Sequence, residues 1–191
     1  MKVFKRHYFS KISILLVVLI VFLVSPLWAK KAVIKNIVVT TSQKYLLVYF
    51  TVDNCFTKEM EKAILNGLPI TFTYKIILEE KRAFFPDKTL ASLTLYHTLK
   101  YDQLKNVFII TRQGKTNDHL TSKDLIWAKK IMAEVEVPVA ALAKLKKGHK
   151  YILRLKAELS KVRLPFYLHY IFFFTSLWDF ETDWYAVEFV Y

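Results

Sequence analysis

After residue 29 the apolar positions recur mostly every second residue, the spacing of strands that turn one face to a core. This alternation predicts strands over Val33–Thr41, Tyr45–Val52, Ile70–Glu80, Thr89–Tyr101, Val107–Arg112 and Tyr151–Leu159, and a last one carrying Tyr185, Val187, Phe189 and Tyr191. The clearest is Ile70–Glu80, where Ile70, Phe72, Tyr74, Ile76 and Leu78 share one face and Thr71, Thr73, Lys75 and Glu79 the other. In Tyr45–Val52 both faces are apolar or aromatic, which predicts burial on both sides.

Two stretches change to helical spacing. Thr57 to Gly67 reads as a short helix, with Thr57 as its cap, Glu59 and Glu61 in the first turn, and Gly67 just past its end. Thr121 to Val135 carries a stripe of Leu125, Ala128, Met132 and Val135, with Thr121 or Ser122 as cap and Val137-Pro138 as terminator. The expected fold is mainly β (α+β): an antiparallel β-sandwich with two short amphipathic helices inserted. A closed barrel is the alternative. An eight-stranded outer-membrane barrel fits less well, because helices interrupt the strands and Lys75, Lys156 and Glu158 lie within them.

Residues 1–29 differ from the rest. Lys2, Lys5 and Arg6 precede an uncharged run from Ile12 to Val24, followed by Ser25-Pro26-Leu27-Trp28-Ala29. This is the order of a signal peptide, with Ala29 at the cleavage position; an uncleaved membrane anchor is the competing reading. Both predict export. The body, residues 30–191, is then a single β-rich domain, periplasmic or held at the inner membrane, with the membrane a partner through the N-terminal segment. No lipobox cysteine follows, so no N-terminal lipid anchor is expected.

Composition narrows the class. Hydrophobic residues make up 54% and aromatics 16%, with 3 Gly and 5 Pro, which excludes disorder and low-complexity sequence. The net charge is +13; without Lys2, Lys5, Arg6 and Lys11 it is 25 − 16 = +9. The lysines are spread along the chain and no recognition motif accompanies them, so a solvated basic surface is expected and nucleic acid is not a predicted partner. With Cys55 as the sole cysteine, no intramolecular disulfide forms. Asn54 and Phe56 flank it without a nearby base, so it reads as a buried thiol.

No catalytic constellation emerges. Glycines at 67, 114 and 148 cannot make a phosphate loop, and Gly-x-Ser-x-Gly is absent. His97, His119, His149 and His169 are scattered singly without zinc spacing; His97 and His169 lie in apolar stretches and read as packing residues. Asp179, Glu181 and Asp183 alternate with aromatics, a pattern that could hold a cation weakly or simply place acids in solvent. More suggestive of contact is an aromatic concentration of Phe166, Tyr167, Tyr170, Phe172, Phe173 and Phe174, continued by Trp178 and Trp184. These residues predict a partner or ligand surface, with a plain core as the other reading. The functional expectation is a non-enzymatic binding or structural domain at the membrane, with an envelope protein or lipid as partner and no cofactor or metal. A carrier of apolar ligands and an enzyme with an acidic C-terminal site are the alternatives, and oligomeric state stays open.

Four stretches resemble a known family. Ala63-Ile-Leu-Asn-Gly-Leu-Pro-Ile-Thr-Phe-Thr-Tyr74 is similar to the pattern ALxxGvPLxF of the domain-of-unknown-function 4390 family of uncharacterised bacterial envelope proteins. Leu99 to Phe108 resembles its LxYDaLtrqY; Leu145 to Tyr151 and Leu164-Pro165 through Trp184 follow in the same order. Phe166–Phe174 departs from the pattern by being more apolar. The resemblance implies an exported bacterial domain and carries no catalytic residues.

Overall fold

In a computed structural model, residues 31–114, 118–160 and 180–191 are described. The elements run β1 (Val33–Thr41), β2 (Tyr45–Asp53), α1 (Lys58–Leu65), β3 (Ile70–Glu80), β4 (Lys88–Asp102), β5 (Val107–Arg112) and β6 (Asp118–Ser122). They continue with α2 (Leu125–Ala133), β7 (Glu134–Ala141), a 3-10 turn (Leu142–Lys144), β8 (Lys150–Leu159) and β9 (Tyr185–Val190). Strands β1-β2-β7 form one sheet and β6-β5-β4-β3-β8-β9 the other, every pair antiparallel. The mainly β, two-sheet architecture with two short helices is the one predicted.

The alternation along β3 explains its central place. Phe72, Tyr74, Ile76 and Leu78 are all fully buried. They meet Leu46, Val48, Phe50 and Val52 of β2 and Leu153, Leu155 and Ala157 of β8 in one core. Phe50 and Tyr74 join the sheets edge to face, ring centres 5.9 Å apart. The Tyr74 hydroxyl would be costly to bury alone; it donates to the Met132 carbonyl at 2.7 Å, tying the end of α2 to the core.

Helix α1 follows its sequence signals closely. The Thr57 side chain accepts from Met60 N, and Gly67, at φ +84°, closes the helix. Its N–H donates to Ile64 O and that of Leu68 to Ala63 O, the paired bonds of a Schellman motif.

The structure corrects four readings. Helix α2 stops at Ala133, and Glu134–Ala141 is a strand rather than a helix end followed by a stop. Pro138 sits in it without harm because β7 is an edge strand, bonded only to β2, where the register shifts at Leu46/Leu47. The cap of α2 is Asp124, whose carboxylate accepts from Ile126 N at 2.8 Å, and not Thr121 or Ser122. Thr121 and Ser122 instead end β6, a strand that the alternation did not predict. Finally, β2 is buried fully on one face only: on the other, Leu47 is covered while Tyr45 is exposed and Tyr49 and Thr51 are half-buried. Among the described residues no helix is long and apolar enough to cross a membrane. The N-terminal targeting segment, residues 1–29, lies outside the described residues.

Candidate functional site

Of the predicted contact residues, Phe166, Tyr167, Tyr170, Phe172, Phe173 and Trp178 lie outside the described residues, as do Phe174 and His169. Trp184 is described. It is exposed just before β9, with the Lys156 ammonium 5.6 Å from its ring centre.

The segment leading into β9 alternates strictly. Phe180 turns inward, its ring 4.6 Å from that of Phe72. Thr182 is also buried, and its hydroxyl accepts from Ala157 N at 3.0 Å. Glu181 and Asp183 turn outward, each to its own lysine: Glu181 pairs with Lys156, and Asp183 with Lys31 at 2.7 Å. The hydrogen bond from Lys156 holds the Glu181 carboxyl below its ordinary range, so it stays ionised and is unsuited to act as a general acid. The acidic alternation therefore does not converge on one point; Asp179 lies outside the described residues. Among the described residues no cluster of His, Cys, Asp and Glu could hold a metal ion.

The same contacts bring three chain positions together. Leu159 N donates to Phe180 O at 3.0 Å, and Ser160 N to Thr71 O at 2.9 Å. Ser160 and Phe180, which flank the aromatic sequence 161–179, are thus neighbours. Lys31, which follows the N-terminal segment, is tied three residues from Phe180 through Asp183.

A cleft of about 510 Å³ runs between β2 and α2, walled by Asp53, Phe56, Ile126, Lys129 and Glu134. Cys55 borders it but points its thiol at Val52 O, 3.2 Å away, and burial pushes its pKa up to about 12. It is an inert thiol, as the sequence suggested. Strand β7 supplies a wall of this cleft, so misreading Glu134–Ala141 also hid the cleft. The strict Glu-Val-Glu-Val alternation of Glu134–Val137 was the available signal.

His97 is a packing residue, also as expected. Its Nδ1 lies 2.9 Å from Met132 O and its Nε2 2.9 Å from Gln113 O. Burial pulls its pKa below 6.5 despite these two carbonyls. The folded state therefore binds this proton less readily than the unfolded chain. The stability that His97 contributes is intact above 6.5 and is lost as pH falls through the folded value, by at most about 1.4 kcal/mol per pH unit. In urea titrations from pH 7.5 to 5, the His97→Gln variant is expected to lose less stability than the wild-type protein, although it starts less stable. Equal slopes would remove His97 as the titrating group.

No curated protein and no solved structure matches the chain. A family model described as "Domain of unknown function (DUF4390)" matches residues 29–188. The four stretches that carried the resemblance, from Ala63 to Trp184, fall within that span, and the chain belongs to this family.

Proposed function

We propose that the protein is an exported domain of the bacterial envelope that works by contact at the membrane, without catalysis. Its partner, an envelope protein or lipid, meets the aromatic stretch Phe166, Tyr167, Tyr170, Phe172, Phe173 and Trp178, with Trp184 at its edge. The observation that carries this reading is the adjacency of Lys31, Ser160 and Phe180. Lys31, which borders the N-terminal segment, and Ser160 and Phe180, which border the aromatic sequence, belong to the same end of the described domain, and this favours a shared setting at the bilayer. The division of Glu181 and Asp183 between two lysines supports contact over chemistry at this end. The filling of the inter-sheet space by Phe50, Phe72 and Tyr74 supports a surface site over a carrier cavity.

The test is site-specific photocrosslinking of the full chain in its own cells. A benzoylphenylalanine at Tyr170 is expected to give adducts with lipid or an envelope protein in the membrane fraction, while one at exposed Lys62 on α1 gives none. Recovery of the protein in the cytoplasmic fraction, or equal labelling at both positions, would sink the reading.

A further inference from the structure

Six of the basic residues that look scattered in the sequence, five of them lysines, are gathered by the fold at one end of the larger sheet. The β3–β4 hairpin carries Lys81, Arg82 and Lys88 around its turn. Lys81 N donates to Lys150 O at 2.9 Å, which sets the start of β8 beside that turn. Lys146 and His149, from the turn before β8, both reach Glu80 at the end of β3, at 3.8 and 2.8 Å. Lys147 lies between them, exposed. Against these six cations, Lys81, Arg82, Lys88, Lys146, Lys147 and Lys150, stand three carboxylates, Glu80, Asp87 and Glu188, a balance of 6 − 3 = +3. All three are already engaged, Glu80 as above, Glu188 by Lys81 at 2.6 Å and Asp87 by the Arg82 N–H at 3.2 Å. Among the described residues Lys88, Lys147 and Lys150 have no ion-pair partner.

At the apex of this end sit two phenylalanines. Phe84 is 92% exposed and Phe85 71% exposed, adjacent in the turn. A lone surface apolar residue needs no explanation, but two neighbouring rings on a projecting hairpin within a basic surround do. Nothing in the core requires them: β3 and β4 pair without them from Glu80↔Lys88 onward.

We propose that this basic, phenylalanine-tipped end docks on a bilayer surface rich in anionic lipid. The lysines meet the headgroup charge and the two rings enter the boundary between headgroups and acyl chains. Charge complementarity names the occupant. Point-charge lysines around two exposed rings suit a plane of phosphates over acyl chains, and the described clefts lie elsewhere, beside β2, β7 and α2. The contact lies at the far end of β3 and β8 from Ser160 and Phe180. It stands independently of the reading above.

The test uses the full chain reconstituted in nanodiscs of pure phosphatidylcholine, with an environment-sensitive nitrobenzoxadiazole dye at Ala83→Cys or, for comparison, at Leu104→Cys. Ala83 is exposed in the hairpin turn and keeps both phenylalanines in place; Leu104 is 99% exposed in the β4–β5 turn at the other end. Buried Cys55 stays unlabelled. Added vesicles of equal parts phosphatidylglycerol and phosphatidylcholine are expected to shift the Ala83→Cys emission to the blue and leave Leu104→Cys unchanged. Vesicles of phosphatidylcholine alone are expected to shift neither. Reversing Lys146 and Lys147 to glutamate should raise the lipid needed for half the shift by at least about tenfold, and Phe84→Ser with Phe85→Ser should abolish the shift. No shift on anionic vesicles, an equal shift on neutral ones, or an equal shift at position 104 overturns the proposal. Crosslinking at Tyr170 is a separate readout, so either reading can fail while the other stands.

Discussion

Replacing Phe72 by alanine is expected to destabilise the domain by about 3–5 kcal/mol, a shift of about 10 °C in Tm for a chain of this size. The ring is fully buried in β3, the strand flanked by β4 on one side and β8 on the other. It touches Phe56 at 4.9 Å and Phe180 at 4.6 Å between ring centres. Truncation loses the transfer energy of the ring and leaves a hole that these neighbours, fixed on separate elements, cannot close. The same change at exposed Phe84 removes no core contact and should stay within about 0.5 kcal/mol. Urea unfolding of the two variants side by side checks both values. Near-equal midpoints would mean that β3 does not carry the core. Loss of Phe72 has a second consequence, since Phe180 marks the return of the chain after residue 179. Loosening it should raise amide exchange at Thr182, whose N–H bonds Ala157 O at 2.9 Å.

How far the fold was legible depends on whether the signal was local. In β3 apolar residues recur at every second position from Ile70 to Leu78, and the observed strand has the predicted bounds. In α1, cap, first-turn acids and closing glycine all sit within one short segment, so the helix could be read almost completely. The failures share a cause: a local signal was outweighed by tertiary context. Pro138 ends a helix and bars a central strand, but β7 is an edge strand, and only the pairing with β2 reveals that. Asp124 caps α2 although Thr121 and Ser122 precede it, because those residues are held in β6 by pairing with β5. The basic end was illegible for a different reason. Its lysines come from the β3–β4 turn and the turn before β8, more than fifty positions apart, and only the β3–β8 register unites them. The acidic alternation was legible as a choice between two arrangements. Lysines 31 and 156, remote in sequence, decide it.

Substituting Gly114 with alanine is expected to destabilise the protein by about 1–3 kcal/mol, although nothing in the sequence marks this glycine as special. A Cβ at Gly114 would lie 2.5 Å from Glu136 O. The obstacle is backbone in the edge strand of the other sheet, so no side-chain rotation relieves it and the main chain on one side must shift. The cost is steric. Gly148, by contrast, has open space where a Cβ would go and a φ of +78°, so alanine there should cost only about 1 kcal/mol of backbone strain. Gly114 also follows Gln113, whose carbonyl faces His97 Nε2 at 2.9 Å and whose side-chain oxygen accepts from Tyr96 N at 3.1 Å. Displacing residue 114 therefore opens the cover over His97. Since burial is what depresses the His97 pKa, admitting water should raise it back toward 6.5 in Gly114→Ala and leave it unchanged in Gly148→Ala. NMR titration of the imidazole in both variants, read beside their urea midpoints, separates the two mechanisms. A destabilised Gly114→Ala with an unmoved His97 pKa would show that the main chain shifts somewhere other than at this close approach.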